Sequence, residues 1–383
     1  MRLSSNQATA TTLATPAPTR PERAVPFSDK PILVFWEMTR ACLLSCVHCR
    51  ASAVRQPLSG ELTTEEGFRL IDSVASFGDR SPTMIFTGGD PLLRRDFFDI
   101  LHYATKAGVR FAVSPAATEM LSFATLRRIK DAGASSISLS LDGAVASTHD
   151  SIRGEEGVYA RTVQAARDAV VLGLNPQVNT TIMERNYKEL PQIFHLITSL
   201  GIKTWELFFL VKTGRGTGVG DLTPQQCEDV CNFLVDASSY GVTIRCVEGP
   251  FIRRVMKNRS ASDGYLSLRR ELLSPGLPPS GHSSLGTRGT LDGDGVIFVG
   301  YDGAIRPGGL VPIDIGNVRT DDLVHVYRGN ELLGKIRRRE MSGPCGRCEF
   351  KEVCGGSRAR AYSFWGDPLS SDPACLAAAS AEI

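Results

Sequence analysis

The chain contains the stretch Ile32-Leu-Val-Phe-Trp-Glu-Met-Thr-Arg-Ala-Cys42-Leu-Leu-Ser-Cys46-Val-His-Cys49, in which an apolar run leads into three cysteines. The run Ile32 to Met38 is short, apolar and bounded by polar residues, which is typical of a buried strand. In α/β proteins the carboxyl ends of strands carry the functional groups. The sequence therefore predicts a chemical site directly after the first strand.

Downstream of this stretch, helical and extended patterns alternate up to about residue 211. Thr63 and Glu66 form a capping box, which predicts a helix that runs to about Phe77. Further strands are predicted at 83–86, 109–113, 136–141, 177–182 and 204–211, and helices at 97–106, 123–132, 159–172 and 190–200. Six such β–α steps imply parallel strands joined by right-handed crossovers. They fit either a doubly wound sheet or an incomplete (β/α) barrel.

Composition excludes several classes of protein. The chain has 383 residues, with 43 Lys and Arg against 41 Asp and Glu, for a net charge of +2. A nucleic-acid-binding protein is normally strongly basic, so no nucleic-acid partner is expected. No apolar run approaches the roughly 20 residues that a membrane span needs. The ten cysteines cluster at short spacings and follow no signal-peptide pattern, which favours metal binding in a reducing cytoplasm over disulfides.

The patterns divide the chain into four parts. Residues 1–30 are rich in Thr, Ala, Ser and Pro and are expected to be a disordered tail. Residues 31–220 carry the β–α alternation. Residues 221–295 are expected to form a helical connector, with helices near 224–240 and 250–273, and then a loop. Residues 296–383 are expected to form a small domain with a β-hairpin and a cysteine-rich end.

Three cysteines in one short loop have a specific chemical meaning. A [4Fe–4S] cluster has four irons, so a loop that supplies Cys42, Cys46 and Cys49 leaves one iron open to another ligand. The alternative is a zinc ion held by the same thiolates and His48. His48 is adjacent to Cys49, however, so the two side chains are expected to point apart.

The spacing Cys-x3-Cys-x2-Cys after a first strand resembles the signature of the radical S-adenosylmethionine (SAM) enzymes. Two further stretches agree with this resemblance in position, Phe86-Thr-Gly-Gly-Asp-Pro91 after the second strand and Ser138-Leu-Ser-Leu-Asp-Gly143 after the fourth. The resemblance implies a partial (β/α)6 TIM-like barrel with a small C-terminal iron–sulfur extension. It also implies an enzyme that cleaves SAM reductively at a [4Fe–4S] cluster and uses the resulting radical to take hydrogen from a substrate.

The same resemblance implies roles for particular residues. Gly88, Gly89 and Asp90 would hold the methionyl amine of SAM, although the family usually has Glu at the third position. Ser140 and Asp142 would contact the ribose. Arg153 follows them as it does in close relatives. The structural alternatives are a tight turn for the two glycines and a helix N-cap for Asp142.

A second cysteine group lies near the end of the chain. Its members are Cys345, Cys348, Cys354 and Cys375, and four thiolates suffice to saturate an iron–sulfur cluster or a zinc ion. The segment from Cys354 to Tyr362 resembles the extension called SPASM or twitch, which implies one auxiliary [4Fe–4S] cluster. The fuller form of that extension has further cysteines, but here those positions are Arg358 and the segment 303–316. A structural zinc ion is the alternative.

A narrower resemblance is carried by residues 36–42, 113–118, 208–216 and 316–318, together with the spacing of the last four cysteines. In these stretches the chain resembles a branch of the family that makes haem by oxidative decarboxylation of porphyrin propionates. This resemblance implies a porphyrin-like substrate and a reduced ferredoxin or flavodoxin as electron donor. A neighbouring group of the family modifies ribosomally made peptides, which leaves a peptide substrate as the alternative. Arginines would bind the carboxylates of a porphyrin, and the candidates are Arg215, Arg253, Arg254 and Arg306.

Two expectations concern the remaining features. Cys227, Cys231 and Cys246 are expected to pack in the core, as buried cysteines commonly do. A non-catalytic iron–sulfur scaffold or redox sensor is the alternative from another class of function. The intact SAM-binding stretches oppose it, because a sensor does not need a SAM pocket.

Overall fold

The computed structural model describes residues 27–274, 276–286 and 289–380. The strands in these ranges are β1 (Leu33–Glu37), β2 (Thr83–Thr87), β3 (Phe111–Val113), β4 (Ser136–Ser140), β5 (Pro176–Ile182), β6 (Thr204–Phe209), β7 (Thr243–Val247), β8 (Leu291–Asp292), β9 (Gly295–Val299), β10 (Ala304–Arg306) and β11 (Gly316–Asn317). The α-helices are α1 (Thr64–Ala75), α2 (Phe97–Lys106), α3 (Phe123–Asp131), α4 (Ala146–Arg153), α5 (Val158–Leu172), α6 (Leu190–Ser199), α7 (Pro224–Ala237), α8 (Ile252–Lys257), α9 (Asp263–Leu273), α10 (Leu323–Gly329), α11 (Glu331–Arg337), α12 (Gly343–Arg347), α13 (Arg358–Trp365) and α14 (Leu376–Ala379).

Strands β1 to β7 lie side by side in chain order, and each pairs with the next in parallel. Right-handed crossovers between strands in unbroken order place all the connecting helices on one face of the sheet. A doubly wound sheet instead reverses its strand order so that helices cover both faces. The order therefore decides for the partial (β/α) barrel that the cysteine signature predicts. The sheet does not close into a full barrel.

The sheet continues past β1 into the C-terminal part of the chain. Strand β9 pairs with β1 in parallel, and β10 pairs with β9 antiparallel, which confirms the hairpin predicted from the sequence. The predicted boundary at residue 295 therefore lies next to a strand that belongs to the same sheet as the barrel. The extension shares backbone hydrogen bonds with the barrel.

Side-chain alternation gives the sheet an outer apolar face and an inner face that is more polar. On β1, Val34 and Trp36 are fully buried on the helix side, where a Cβ added to Gly67 of α1 would lie 2.6 Å from the Trp36 ring. Phe35 and Glu37 consequently face the inside of the barrel. On β4, the buried Ile137 and Leu139 face the helices, and the three serines that alternate with them face inward.

Two sequence expectations need adjustment. Of the predicted tail, residues 1–26 lie outside the described residues, and residues 27–30 contact the folded body. The Tyr327 hydroxyl donates to the Phe27 carbonyl at 2.5 Å, and Lys30 Nζ donates to the Asp79 carbonyl at 2.6 Å.

Strand β7 was not predicted and lies between the helices expected there. Among the described helices, none has the length and apolar character needed to cross a membrane.

Candidate active site

The first cysteine loop begins where β1 ends and is held by backbone contacts. The Cys42 amide donates to the Val54 carbonyl at 2.8 Å, which closes the loop on itself. Behind it lies the glycine-rich segment after β6, where Gly214 has φ +54° and an added Cβ would lie 2.5 Å from the Cys49 carbonyl oxygen. Only glycine allows this approach. The loop is therefore clamped between its own return and the end of β6.

Two guanidinium nitrogens of Arg215 donate to this loop, and the third, NH2, is buried without a hydrogen-bond partner among the described residues. Its Nε donates to the Cys46 carbonyl at 2.8 Å, and one terminal nitrogen donates to the Ala53 carbonyl at 2.9 Å. We expected Arg215 to bind a substrate carboxylate, but the structure uses its guanidinium to brace the backbone of the cysteine loop. The sequence signal was its place at a strand end, which correctly put it near the site but did not indicate the partner.

Each thiol of the loop has a hydrogen-bond donor. Cys42 Sγ accepts from the Leu44 amide at 3.3 Å, and Cys49 Sγ accepts from the Ala53 amide at 3.4 Å. Burial is the main cause that raises the pKa of Cys42 to about 12, and the Leu44 amide opposes it. Metal binding requires thiolates and releases their protons, and N–H donors favour the charged form. The three donors therefore suit sulfurs that ligate iron.

The donor to the third thiol is Arg153, which links Cys46 to Asp142. Arg153 lies 3.8 Å from Cys46 Sγ through one terminal nitrogen and 2.5 Å from Asp142 Oδ2 through the other. Asp142 is fully buried and also accepts from the Thr181 amide at 2.8 Å. Burial acts to raise the pKa of Asp142, but the Arg153 charge opposes it and the pKa lies below its usual value. The structure thus brings together three residues that the sequence singled out.

Two histidines flank this ion pair. His48 Nε2 lies 3.7 Å from Asp142 Oδ2, and His149 Nδ1 accepts from the Asp142 amide at 3.0 Å. Burial lowers the pKa of each to about 4, so both rings are neutral at pH 7. Asp142 therefore keeps Arg153 as its main counter-charge. The His48 side chain is directed toward the ion pair of Arg153 and Asp142. The sequence predicted that it would point away from Cys49.

We expect Arg153→Met to lower the free energy of unfolding by about 3–5 kcal/mol at pH 7, because it leaves a buried carboxylate without its counter-charge. The loss should shrink toward pH 4, where Asp142 can take a proton. Denaturant unfolding of the wild type and the variant measures the difference. The double variant Arg153→Met/Asp142→Asn should recover most of the loss, and an equal loss in the double variant would contradict this account.

The Gly88-Gly89-Asp90 stretch packs against the segment that leads into the cysteine loop. The Gly89 amide donates to the Thr39 carbonyl at 2.8 Å, and the Asp90 amide donates to the Ala41 carbonyl at 2.7 Å. A Cβ added to Gly89 would lie 2.2 Å from the Ala41 oxygen, and Gly88 has φ +147°. The glycines are therefore required by a close contact between the ends of β1 and β2.

Asp90 is fully buried and hydrogen-bonded within the protein. Its Oδ1 accepts from the Leu92 amide at 3.2 Å and the Ala116 amide at 3.4 Å, and its Oδ2 accepts from the Thr118 hydroxyl at 3.2 Å. Burial raises its pKa to about 6. This carboxylate caps the short 3₁₀ helix Pro91–Leu93 and ties it to the segment after β3.

We expect Asp90→Asn to become more stable relative to the wild type as pH rises. A buried acid with a raised pKa binds its proton more tightly in the folded state than in the unfolded state. The free energy of unfolding of the wild type therefore falls as pH rises from about 4 to about 6. The shift corresponds to about 3 kcal/mol. Asn can keep all three hydrogen bonds and cannot ionise. Denaturant unfolding at pH 4 and pH 7 tests this, and a constant difference between the two proteins would contradict it.

Ser140 closes the set of residues that the sequence predicted for SAM. It ends β4, is partly exposed and lies on the inner face, beside Asn179 of β5 in the strand register. Its position fits a contact with a ligand inside the barrel. Asp142, two residues on, lies deeper and holds Arg153.

The four cysteines of the second group line one cavity of about 270 Å³. The Asp372 amide donates to Cys345 Sγ, the Phe350 amide to Cys348 Sγ and the Gly356 amide to Cys354 Sγ, at 3.4–3.5 Å. The rest of the wall combines two phenylalanines and two alanines with the basic residues Arg254, Arg347 and Lys351. Four thiols around one cavity, with backbone donors to the sulfurs, match what a cluster site needs.

Arg358 occupies the position where the fuller extension has another cysteine. It is 1% exposed and donates to the carbonyls of Pro368 at 2.7 Å and Ser370 at 2.8 Å. These carbonyls belong to the segment that leads to Cys375. The arginine therefore shapes the loop that carries the fourth thiol.

The second cysteine group is connected to the mouth of the barrel by a buried ion pair. Arg360 contacts Asp372 at 3.2 Å and donates to the carbonyls of Leu210, after β6, and Glu248, after β7. Asp372 in turn supplies the amide that donates to Cys345 Sγ. Fixed polar contacts thus hold the extension against the strand ends. This link was not predicted, since nothing in the sequence pairs Arg360 with residues so distant.

The remaining cysteines and arginines have structural partners. Cys227 and Cys231 are buried in the core, and Cys246 Sγ donates to the Gly249 carbonyl at 3.3 Å, as expected for packing. Arg254 forms an ion pair with Glu228, and Arg306 forms one with Asp314 at 2.6 Å. Arg306 is therefore not held ready for a ligand, whereas Arg254 also lines the cavity of the second cysteine group and lies beside Cys375. None of the ten cysteines forms a disulfide.

In the described ranges, no three His, Cys, Asp or Glu side chains lie close enough together to hold a single metal ion.

Comparison with known proteins identifies relatives over nearly the whole chain. A family model described as the Radical SAM superfamily matches residues 36–197. The chain is 35% identical to the AdoMet-dependent heme synthase of Nitratidesulfovibrio vulgaris, over 90% of this chain and 91% of that protein. It is 34% identical to the AdoMet-dependent heme synthase of Methanosarcina barkeri, over 92% and 98%. A crystal structure of Streptococcus suis SuiB bound to S-adenosylmethionine has the same fold, with a TM-score of 0.67 at 14% identity, over 90% and 77%.

Proposed function

Because this chain belongs to the radical SAM superfamily, we propose that it oxidises propionate side chains of a porphyrin in haem synthesis, using SAM and a [4Fe–4S] cluster. The observation that carries the substrate is the identity of 34% and 35% to two AdoMet-dependent heme synthases, over nine tenths or more of each chain. The superfamily makes the chain a SAM-dependent iron–sulfur enzyme.

In this proposal Cys42, Cys46 and Cys49 hold the SAM cluster. The three thiols lie in the loop that follows β1, and each has a nitrogen donor that favours the thiolate. When bound, the cluster and SAM supply a 5′-deoxyadenosyl radical that takes a hydrogen atom from the substrate. The protein must position the substrate carbon and exclude water around it.

The residues around the loop would hold SAM in place. We assign the methionyl amine to the backbone of Gly88 and Gly89, which lies against the cysteine loop, with Asp90 as a positioning residue that caps that turn. We assign the ribose to Ser140 on the inner face. Asp142 contributes by fixing Arg153 beside Cys46.

The chemistry requires an electron acceptor. A propionate that becomes a vinyl group loses one hydrogen atom, then CO2, and leaves one electron behind. We propose that Cys345, Cys348, Cys354 and Cys375 hold an auxiliary [4Fe–4S] cluster that takes this electron. The four thiols around one cavity support this assignment. We further propose a reduced ferredoxin or flavodoxin as the electron donor, in the reducing environment of the cytoplasm.

The test is an anaerobic assay of the reconstituted protein with dithionite, SAM and iron-coproporphyrin III. We expect 5′-deoxyadenosine to form faster with the porphyrin, together with a porphyrin product that lacks CO2 and two hydrogens for each propionate converted. Nucleoside that forms at the same slow rate with and without the porphyrin would reject this substrate and direct the search to peptides. No nucleoside from a fully reduced cluster would instead favour the scaffold or sensor alternative.

A further inference from the structure

One arginine beside the cysteine loop differs from the others in how it is satisfied. Arg50 directly follows Cys49, and its side chain is 23% exposed. Its NH2 lies 3.2 Å from Glu37 Oε1, and its NH1 donates to the Gly309 carbonyl at 3.4 Å. Both distances are long for charge-assisted hydrogen bonds, which are normally about 2.7–2.9 Å.

The position of Arg50 is on the inner face of the barrel. Glu37 is the last residue of β1 and faces inward, as does Phe35. Phe35 and Phe298 of β9 are register partners in a parallel pair, so their side chains share a face. The Arg50 guanidinium carbon lies 4.6 Å from the centre of the Phe298 ring. Arg50 is thus stacked on the inner wall where β1 and β9 end.

The surroundings leave room for the guanidinium and part of its donor capacity unused. An arginine has five N–H donors, and the contacts with Glu37 and Gly309 occupy two nitrogens weakly. A Cβ added to Gly309 would lie 3.1 Å from the Phe298 ring and 3.2 Å from Arg50 Nε. The absence of a side chain at Gly309 therefore leaves space beside the guanidinium and the Phe298 ring.

The partner of Arg50 is also incompletely satisfied. Glu37 is 2% exposed, and its Oε1 makes no well-aligned hydrogen bond. By contrast, Arg94 donates to its carboxylate partner, Asp96 Oδ2, at 2.6 Å. Glu37 fixes where the Arg50 guanidinium lies but does not consume its fork of donors, which is suited to binding a carboxylate through two oxygens.

We propose that Arg50 binds a propionate carboxylate of the substrate inside the barrel, with Glu37 as the positioning residue that holds the guanidinium on Phe298. This assignment rests on the porphyrin substrate proposed above. Since Arg50 is adjacent to Cys49, a carboxylate bound there lies beside the cluster loop. The arginine that serves this purpose is then not one of the four predicted from the sequence, each of which makes contacts of its own.

The test measures porphyrin binding and does not depend on turnover. Metal-free coproporphyrin III and its tetramethyl ester, which lacks the carboxylates, are titrated into the reconstituted enzyme, and binding is followed by fluorescence anisotropy. The variants are Arg50→Gln, Arg50→Lys and, as a matched control, Arg69→Gln, whose side chain is 64% exposed on α1. Iron content for each protein verifies that it folds and is loaded.

We expect Arg50→Gln to weaken coproporphyrin III binding by about tenfold or more and to leave the ester unaffected, because only the acid offers a charged partner. Arg50→Lys should fall between the two, since it keeps the charge but not the fork. Arg69→Gln should bind as the wild type does.

Two results would overturn the assignment, and they are distinguishable. If the wild type binds coproporphyrin III and Arg50→Gln binds it equally well, or loses acid and ester to the same extent, Arg50 is not the carboxylate anchor. If the wild type binds neither porphyrin, the proposed substrate is wrong and the assignment falls with it.

Discussion

Replacing Cys49 with Ala is expected to reduce SAM cleavage by about a thousandfold or more, because two thiolates cannot retain a cluster that is built to be held by three. The protein should lose about four irons for each chain and keep the second group, whose cysteines lie elsewhere in the fold. Iron analysis, electron paramagnetic resonance of the reduced protein and 5′-deoxyadenosine yield measure the effect.

The matched control for this variant is Cys246→Ser. Cys246 donates to the Gly249 carbonyl, a bond that a serine hydroxyl can also make. We expect this control to keep its full iron content and its SAM cleavage. If Cys49→Ala still cleaves SAM at the rate of the control, the three-cysteine loop does not hold the reactive cluster.

Replacing Cys345 with Ala is expected to separate two events that the proposed reaction couples. The variant should still form 5′-deoxyadenosine, because the first cysteine loop is untouched. Porphyrin product should fall by about a hundredfold or more, since the electron left after loss of CO2 has no acceptor. Iron should fall from about eight to about four for each chain. Product and nucleoside are measured from the same reaction.

The outcomes for this variant also decide what the second group binds. Unchanged iron with unchanged product would refute an auxiliary cluster that involves Cys345. Zinc in the purified wild type, with four irons for each chain in both proteins, would identify the second group as a zinc site. The Cys246→Ser control again sets the level expected from a cysteine outside both groups.

The barrel could be predicted because each β–α step has its own local pattern of apolar and polar residues. The capping box of Thr63 and Glu66 forms as predicted, with α1 beginning at Thr64, and β1 to β6 appear in the predicted order. Strand β7 was missed because its five residues lie between two stronger helical patterns and carry the polar Arg245. The pairing of β9 with β1 joins distant segments, and no local pattern encodes such a partner.

For the candidate site, the residue types could be predicted but not their contacts. The sequence singled out Asp142 and Arg153 separately, and only the fold shows that they form one ion pair next to Cys46. Asp90 was expected to pair with an ammonium group, but in the structure its Oδ1 accepts hydrogen bonds from the backbone amides of Leu92 and Ala116. Arg50 was not predicted, because the sequence does not show that its guanidinium stacks on the distant Phe298.

The pairing between β1 and β9 has a consequence for how the protein is made. Strand β1 leaves the ribosome early, but the strand that covers its outer edge is synthesised only near the end of the chain. Until then the edge of β1 offers unpaired backbone groups, which are prone to association with other chains. We therefore expect truncation before residue 295 to cause aggregation during expression. We also expect the nascent barrel to depend on chaperones until β9 has been synthesised.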